Sequence, residues 1–461
     1  MTMLTYPQLE RRGRAPQRAA ARDPLPRPAA PAGAWPVVSM LVVALSVRLI
    51  FSLGLFQVVV KESGIARGSD KYEFIGKSLA AGYGYRFAPD LSPSMFLPPA
   101  YPLFLGGLFS LTPPEQHLVA TQVAQSVLDT LSCLLIYLLA APHFGRRAAL
   151  IGAWCYALYP GAWVSCSRYL TEPLFVLLTL LFVYALGRYL VRAGWLSLLA
   201  AGAACAAMVL CKSVAGMLPV FVIGCALVLP IWAGRRWPVV RAAVACLLVT
   251  AIGVAPWVYR NYRVSGTYVY PTSAGGLALY TAYTYAAHPE QTIRKSVDQA
   301  AAEVRALGEA NGVRLDPRDA YPRWFYSAQD EIRLDRLAQA EARRRISADT
   351  ASFARHVLGN VWRFWFGAPT PKSVLASIAL NGTLLVLGAV GIVLSAFWRR
   401  PAIAAWVVVS LYLFLGHVAV LAVVRYSLTV MPMICLFAGV AIAWLLERVL
   451  RARGIALTRV H

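Results

Sequence analysis

The run Trp35-Pro-Val-Val-Ser-Met-Leu-Val-Val-Ala-Leu-Ser-Val-Arg48-Leu-Ile-Phe-Ser-Leu-Gly-Leu-Phe-Gln-Val-Val-Val60 decides the fold class of this chain. It exceeds the roughly 20 apolar residues that cross a bilayer core, and its single charge is Arg48. The sequence therefore predicts a membrane-spanning helix here. Because a charge inside the membrane is costly, we expect Arg48 to face other helices and to pair with a residue that the sequence does not identify.

Comparable apolar runs recur along most of the chain. Of its 461 residues, 59% are hydrophobic and 14% are charged, whereas a soluble domain carries about 25% charged residues. A helix satisfies its own backbone polar groups, so each run is predicted to be helical. The predicted fold class is an all-α polytopic membrane protein with about 10 to 12 transmembrane helices and outer loops that carry short helices. The ten clearest runs are residues 35–60, 118–141, 148–166, 170–191, 195–211, 214–232, 239–257, 374–397, 403–424 and 427–446.

The basic residues predict the orientation of the chain. The net charge is +23, but the arginines fall in short clusters between apolar runs, which is typical of the positive-inside rule and not of nucleic-acid binding. With the N-terminus in the cytoplasm, every second connection is basic and therefore cytoplasmic. We predict a multi-pass protein of the inner (plasma) membrane whose polar site faces the extracytoplasmic side. The basic connections contain Arg146, Arg188, Arg235, Arg399 and Arg448.

This topology divides the chain into five parts. Residues 1–33, rich in Arg and Pro, are predicted to be a disordered cytoplasmic tail. An N-terminal transmembrane bundle follows at 34–258 and includes a first outer loop at 61–117. Residues 259–372 form an extracytoplasmic segment, in which 298–309 and 329–346 have the charge spacing of helices. The C-terminal transmembrane helices at 373–447 and a cytoplasmic tail at 448–461 complete the chain.

The first outer loop is unusually rich in polar groups for the edge of a membrane. Asp70 and Glu73 are three residues apart, so on a helix both carboxylates face one side. Tyr72 lies between them, and Tyr85 ends a Gly-Tyr-Gly-Tyr run. The alternative interpretation is a solvated helix start, where acids complement the helix dipole. That alternative is stronger for Glu73 than for Asp70.

Four more polar groups lie on the same predicted side of the membrane. Glu172 begins an apolar run, where a carboxylate is costly unless it is paired or functional. An ion pair with Arg168, four residues earlier, is the simpler interpretation. Lys212 and Arg425 are cations at outer helix ends, and for these the alternative is a side chain that reaches the interface without further function. Tyr426 follows Arg425 directly.

The end of the seventh run combines Arg260 with Asn261. A guanidinium beside an amide can bind an anion, although anchoring at the interface is equally plausible. The eight cysteines lie in or beside apolar runs without a Cys-x-x-Cys pair, which favours small core residues over metal or disulfide roles. The histidines lack ligand spacing. Carboxylates can bind a divalent cation, but those here are few and widely spaced, so the sequence neither requires nor excludes a metal.

Several short motifs follow one another in a fixed order along the chain. They are Asp70…Tyr72, Gly82-Tyr83-Gly84-Tyr85, Pro98-Pro99-Ala100-Tyr101-Pro102, Thr171-Glu172-Pro173-Leu174-Phe175, Pro256-Trp257…Arg260-Asn261-Tyr262…Gly266, Arg425-Tyr426 and Met431-Pro432. In this order the motifs resemble the GT-C fold family of lipid-linked glycosyltransferases, and the resemblance covers roughly residues 35–445. The branch that they resemble contains the protein O-mannosyltransferases and the aminoarabinose transferase of lipid A.

The resemblance implies a sugar donor on polyprenyl or dolichyl phosphate and an envelope acceptor that is a lipid, a glycan or a protein. Asp70 matches the position of the family's proposed catalytic base, and Glu172 matches a second acidic position. Protein-mannosylating members often carry Asp-Glu, whereas Lys71 follows Asp70 here, which weighs against that acceptor class. A base opposite a phosphate leaving group implies an inverting single displacement, with cations stabilising the phosphate.

The sequence thus predicts two catalytic residues, Asp70 and Glu172. The predicted substrate-binding residues are Tyr72, Glu73, Tyr85, Lys212, Arg260, Asn261, Arg425 and Tyr426. The predicted partners are the lipid-linked donor, the acceptor and membrane lipids. Two other functions stay open. A flippase or transporter of lipid-linked sugars would show inverted repeats, of which we find none. A polysaccharide polymerase or ligase would use the same donors.

Overall fold

The computed structural model describes residues 34–453, except 57, 59–70, 233, 235, 289–291 and 369. The predicted N-terminal tail, most of the C-terminal tail and Asp70 lie outside the described residues. In the part that is described, all regular structure is helical apart from one isolated β-bridge between Leu315 and Phe325.

Sixteen α-helices follow one another in the described ranges. They are α1 Trp35–Ile50, α2 Tyr72–Ala80, α3 Ala100–Phe109, α4 His117–Ala157, α5 Pro160–Cys166, α6 Glu172–Arg192, α7 Trp195–Cys211, α8 Leu218–Val228, α9 Arg236–Ser265, α10 Gly275–Ala287, α11 Ile293–Ala310, α12 Ala328–Ala348, α13 Thr350–Phe366, α14 Pro371–Leu394, α15 Pro401–Val418 and α16 Met431–Ala452.

Seven of these helices are long and apolar enough to cross a membrane, counting the residues that the structure describes. They are α1, α4, α6, α9, α14, α15 and α16. Helix α4 contains a break at Gly145, whose φ of 80° is outside the helical range, so its two arms correspond to the second and third predicted runs. Helices α7 and α8 are shorter apolar helices. The predicted fold class, an all-α polytopic membrane protein, is confirmed.

Some helix ends differ from the prediction. The run 148–166 is interrupted after Ala157, because Pro160 occupies the first turn of a new helix, α5. Helix α9 was predicted to end at Trp257, but it continues to Ser265 although Pro256 lies inside it. Its additional turns carry polar side chains that bond to neighbouring loops, as described below, and these bonds stabilise the extension.

Arg48 has the buried partner that its position in the first apolar run predicted. Its Nε donates to Asp129 Oδ2 at 2.6 Å, and the Tyr156 hydroxyl donates to Asp129 Oδ1 at 2.7 Å. Arg48 is fully buried and Asp129 is 1% exposed. The pair joins α1 to α4 inside the bundle, and the arginine also donates to the carbonyl of Ala157 at 3.0 Å. The prediction for Arg48 is therefore confirmed.

We expect Asp129→Asn to destabilise the folded bundle by about 3 kcal/mol, because it leaves the Arg48 cation buried without a counter-charge. Thermal unfolding of the purified protein in detergent measures this effect. The matched control is the double variant Arg48→Leu/Asp129→Leu, which removes both charges and should melt closer to the wild type. A single variant that unfolds at the wild-type temperature would contradict a stabilising role for the pair.

Helices α2 and α3 pack closely because two glycines face the contact. A Cβ atom at Gly76 would lie 2.9 Å from Leu105 Cβ, and one at Gly106 would lie 2.9 Å from Leu79 Cβ. This contact holds together the two helices that the structure describes within the first outer loop. The segment between α9 and α14 has an apolar cluster of its own, formed by residues such as Tyr280, Val304, Phe325, Leu334 and Ala338. Its predicted helices 298–309 and 329–346 correspond to α11 and α12.

Candidate functional site

The first turn of α6 carries a buried carboxylate between two cations. Glu172 is 1% exposed, and its Oε1 lies 3.0 Å from Lys212 Nζ and 3.3 Å from Arg425 Nε. Lys212 follows α7, and Arg425 belongs to the short 3₁₀ turn Val424–Thr429. Three segments that are distant in the sequence therefore meet at Glu172, and a helix N-terminus also favours its negative charge.

One aromatic ring lies close to both cations. Lys212 Nζ lies 4.7 Å from the centroid of the Tyr426 ring, and the Arg425 guanidinium lies 5.4 Å from the same ring. Such rings attract cations, while the hydroxyl of Tyr426 remains a polar group beside them. The structure thus brings together Glu172, Lys212, Arg425 and Tyr426. Their roles in catalysis and substrate binding stay predictions.

Two residues outside the predicted set extend this cluster. Arg168 precedes Glu172, yet among the described residues Glu172 forms its ion pairs with Lys212 and Arg425 and not with Arg168. Burial and the nearby Arg425 lower the pKa of Arg168, so the two guanidinium groups are neighbours. Burial, and next the charge of Glu172, raise the pKa of Tyr101 well above its usual range. Three cations, Lys212, Arg425 and Arg168, therefore lie in this region with one carboxylate, Glu172.

The start of α2 packs against the same cluster. The Tyr72 and Tyr101 rings meet edge to face at 5.1 Å, and the Tyr101 hydroxyl donates to Gln125 Oε1 at 2.6 Å. Gln125 in turn donates to the carbonyl of Arg168 at 2.7 Å. This chain of contacts connects α2 to the residues before α6. Glu73 lies on the same side, since its charge helps burial to raise the pKa of Tyr169 to about 12.

Asp70 itself lies outside the described residues. The next residue, Lys71, has a left-handed backbone with φ of 68° and precedes α2. Its ammonium group lies 4.9 Å from the Phe74 ring and 3.9 Å from Asp319 Oδ1. Lys71 is thus directed toward the outer segment, while Tyr72 contacts the cluster around Glu172. The role of Asp70 as a catalytic base stays a prediction.

Tyr85, Arg260 and Asn261 form a separate group that supports the first outer loop. Arg260 donates to the carbonyls of Ser94 at 2.7 Å and Tyr85 at 3.3 Å, and its guanidinium lies 4.8 Å from the Trp257 ring. The Tyr85 hydroxyl donates to the carbonyl of Leu97 at 2.9 Å. Asn261 is fully buried and donates to the carbonyl of Val269 at 3.3 Å. These contacts join loop segments to one another, and substrate binding by the three residues stays a prediction.

A further buried carboxylate binds the same stretch of this loop. Glu331 on α12 is 2% exposed, and its Oε1 accepts from the backbone N–H of Met95 at 2.9 Å and from the Ser273 hydroxyl. Burial raises the pKa of Glu331 to about 7, although these hydrogen bonds and Arg260 oppose the rise. Together, Glu331 and Arg260 attach residues 94 and 95 to the outer segment and to α9.

We expect Glu331→Gln to weaken the dependence of stability on pH. Between pH 4.5 and 7 the folded protein keeps a proton that the unfolded chain has lost. Stability contributed by Glu331 therefore falls as the pH rises through this window, by about 3 kcal/mol in total. Glutamine cannot ionise, so the melting temperature of the variant should fall less between pH 5 and 8 than that of the wild type.

The matched control for this prediction is Glu309→Gln, at a carboxylate that is 59% exposed. It should follow the wild type, because this carboxylate is in contact with water in both the folded and the unfolded chain. Parallel melting curves for Glu331→Gln and the wild type across this pH range would contradict the assignment.

The structure also addresses the open question of a metal. Among the residues that the structure describes, no three His, Cys, Asp or Glu side chains are grouped closely enough to hold a metal ion.

Comparison with known proteins identifies one family and several solved structures that the chain resembles. The sequence profile of the family described as Dolichyl-phosphate-mannose-protein mannosyltransferase matches residues 97–259, about a third of the chain. This match includes α3 and the Glu172 and Lys212 region, and it ends just before Arg260. No curated protein sequence matches the chain.

Solved structures share the fold at low sequence identity. The apo oligosaccharyltransferase of Archaeoglobus fulgidus has a TM-score of 0.55 at 14% identity, and the match covers 92% of this chain and 52% of that chain. AglB from the same organism, in complex with an inhibitory peptide and a dolichol-phosphate, has a TM-score of 0.50 at 16% identity, with coverages of 91% and 51%.

ArnT from Cupriavidus metallidurans, bound to undecaprenyl phosphate, has a TM-score of 0.41 at 15% identity, with coverages of 87% and 78%. The present chain spans about half the length of the archaeal oligosaccharyltransferases that it resembles. The match to the archaeal oligosaccharyltransferases confirms, at the level of the fold, the resemblance seen in the sequence motifs, and the chain has a GT-C-like fold.

Proposed function

We propose that the chain is an integral membrane glycosyltransferase that moves a sugar from a polyprenyl-phosphate-linked donor to an extracytoplasmic envelope acceptor. The observation that carries this proposal is the meeting of Lys212 and Arg425 at the buried Glu172. The fold is shared with an oligosaccharyltransferase whose structure contains a dolichol-phosphate, a lipid phosphate of the class that such a donor releases. The family match over residues 97–259 is to a transferase of the same donor class.

The charges of the site suit a phosphate leaving group. Departure of a polyprenyl phosphate develops negative charge, which needs stabilisation more than it needs a proton. Lys212 and Arg425 supply positive charge, and Arg168 lies close to Arg425. Glu172 holds the first two cations in place by ion pairs. In this proposal Glu172 is therefore a supporting acid that positions cations, and the lipid phosphate lies beside them.

The acceptor side of the reaction is assigned to the first outer loop. An acceptor hydroxyl needs a base near the anomeric carbon, on the face opposite the leaving group. Asp70 is proposed for this role, because it lies two residues before Tyr72, whose ring contacts Tyr101 beside Glu172. The acceptor oxygen forms a bond to the anomeric carbon while the bond between that carbon and the phosphate oxygen breaks. The configuration at the anomeric carbon is therefore inverted in the product. The acceptor proton passes to Asp70.

Product analysis tests the proposal. The purified full chain, reconstituted in vesicles with a radiolabelled polyprenyl-phosphate sugar and envelope extract, should add one sugar to an acceptor. Mass spectrometry of lipids, glycans and proteins from cells with and without the chain then identifies the acceptor, whose mass should differ by a single sugar.

Two outcomes of this experiment would contradict the proposal and identify a different function. Movement of the labelled lipid between leaflets without any product would identify a flippase. A ladder of products would identify a polysaccharide polymerase. A vesicle preparation of the Asp70→Asn variant is the control for background transfer.

A further inference from the structure

A small pocket lies at the opposite end of the bundle from Glu172. It is enclosed by α4, α6 and the start of α15, and its volume is about 110 Å³. Gly187, which lines it, is four turns along α6 from Glu172, or roughly 22 Å at the helical rise of 1.5 Å per residue. The pocket is therefore separate from the candidate active site. A volume of this size suits one small polar group and is below the range of drug-sized ligand sites.

A buried hydrogen-bond donor belongs to one of the residues that line this pocket. Trp406, one of the lining residues, is 1% exposed, and its indole N–H has no hydrogen-bond partner among the described residues. The space beside the N–H exists because residue 187 is glycine, since a Cβ atom there would lie 3.1 Å from Trp406 Nε1. A buried donor without a partner is unfavourable by about 1–3 kcal/mol. The pocket thus contains a donor suited to an incoming acceptor.

The charge of the lining residues indicates that this acceptor is an anion. Arg188 and Arg192 lie one turn apart on α6 at the mouth of the pocket, and no carboxylate is among the described residues that line it. Arg400 lies nearby and donates to the carbonyl of His143, another lining residue, at 3.2 Å. The positive-inside rule accounts for arginines at such a helix end. It does not account for the buried indole N–H, which points to a bound acceptor.

The remaining wall of the pocket is apolar and includes Leu138, Leu139 and Val191. Cations beside an apolar wall between membrane helices match an amphiphile whose headgroup is anionic. We propose that this pocket binds the phosphate of an anionic phospholipid, with the phosphate oxygens accepting from Trp406 and the two arginines. The acyl chains would then lie along the apolar wall.

Native mass spectrometry of the purified full chain tests this site. The probes are phosphatidylglycerol, phosphatidylethanolamine with the same acyl chains, and glycerol 3-phosphate. We expect phosphatidylglycerol to bind most tightly. Trp406→Phe keeps an aromatic ring but removes the donor, and should weaken phosphatidylglycerol binding by about tenfold, as expected for one hydrogen bond to a charged group.

A second variant keeps the test valid if Trp406→Phe does not fold. Arg188→Gln/Arg192→Gln changes two exposed side chains and should also weaken phosphatidylglycerol binding by about tenfold or more. The matched control is Arg241→Gln, at an exposed arginine in α9, which should bind like the wild type. Equal binding of the two phospholipids, wild-type binding by both pocket variants, or equally tight binding of glycerol 3-phosphate would each overturn the proposal.

Discussion

Asp70→Asn is expected to lower the rate of sugar transfer by about 10²–10⁴-fold, because asparagine cannot take the proton of the acceptor hydroxyl. The substitution keeps the size of the side chain, so expression and melting temperature should stay at the wild-type level. The residue two positions later, Tyr72, is buried against Tyr101 beside Glu172. Initial rates with a labelled polyprenyl-phosphate sugar, measured at saturating donor and acceptor, report the chemical step.

The matched control for this prediction is Asp90→Asn in the same outer loop. Asp90 is 54% exposed and pairs with Arg318 at 2.7 Å on the surface, where an ion pair contributes little. Its rate should therefore equal that of the wild type. The variant Glu73→Gln distinguishes the contribution of Glu73, in the first turn of α2, from that of Asp70, which precedes this helix. Full activity of Asp70→Asn together with loss of activity in Glu73→Gln would transfer the role of base to Glu73.

Lys212→Met is the second substitution with a large expected effect. Removal of one group that stabilises developing negative charge typically lowers turnover by about 10²–10³-fold. Lys212 Nζ lies 3.0 Å from Glu172 and is partly exposed, so it can reach a lipid phosphate at the edge of the bundle. Methionine keeps the length of the side chain without its charge. Turnover measured over a range of donor concentrations gives the size of the effect.

Lys212 also neutralises a buried carboxylate, and this structural role needs its own control. The double variant Lys212→Met/Glu172→Gln removes both charges, so its melting temperature should recover toward the wild type. Its turnover should stay low if Lys212 acts on the leaving phosphate. Recovery of activity in the double variant would show that Lys212 serves only to balance Glu172. Lys77→Met, at an exposed lysine in α2, is expected to leave turnover unchanged.

Much of the fold could be predicted because its signals are local. Apolar runs of membrane length predicted the spanning helices, and Pro371 and Pro401 begin two of them, as proline commonly does. The predictions were wrong where tertiary contacts override a local signal. Helix α9 passes through Pro256 because Arg260 and Asn261, beyond it, bond to loops that the sequence does not place.

Prediction of the candidate site was limited in the same way, because its tertiary contacts have no local signal in the sequence. The charge pattern predicted that Glu172, Lys212 and Arg425 face one side of the membrane, but it contained no distances among them. Gln125 looked like part of an apolar run, yet it joins Tyr101 to the backbone of Arg168. Glu331 has the spacing of a solvated helical charge and is nevertheless buried, because Met95 and Ser273 cover it. Contacts between distant segments leave no periodic pattern that could be recognised.

The manner in which the first outer loop is attached has an evolutionary consequence. Arg260 and Glu331 bind the loop through the carbonyl of Ser94 and the N–H of Met95, which are backbone atoms that every residue other than proline possesses. The side chains of the loop can therefore diverge while its anchor points stay the same. If the proposed function is correct, we expect related chains to acquire new acceptors by substitutions elsewhere in this loop, with Arg260, Glu331 and the membrane bundle left unaltered.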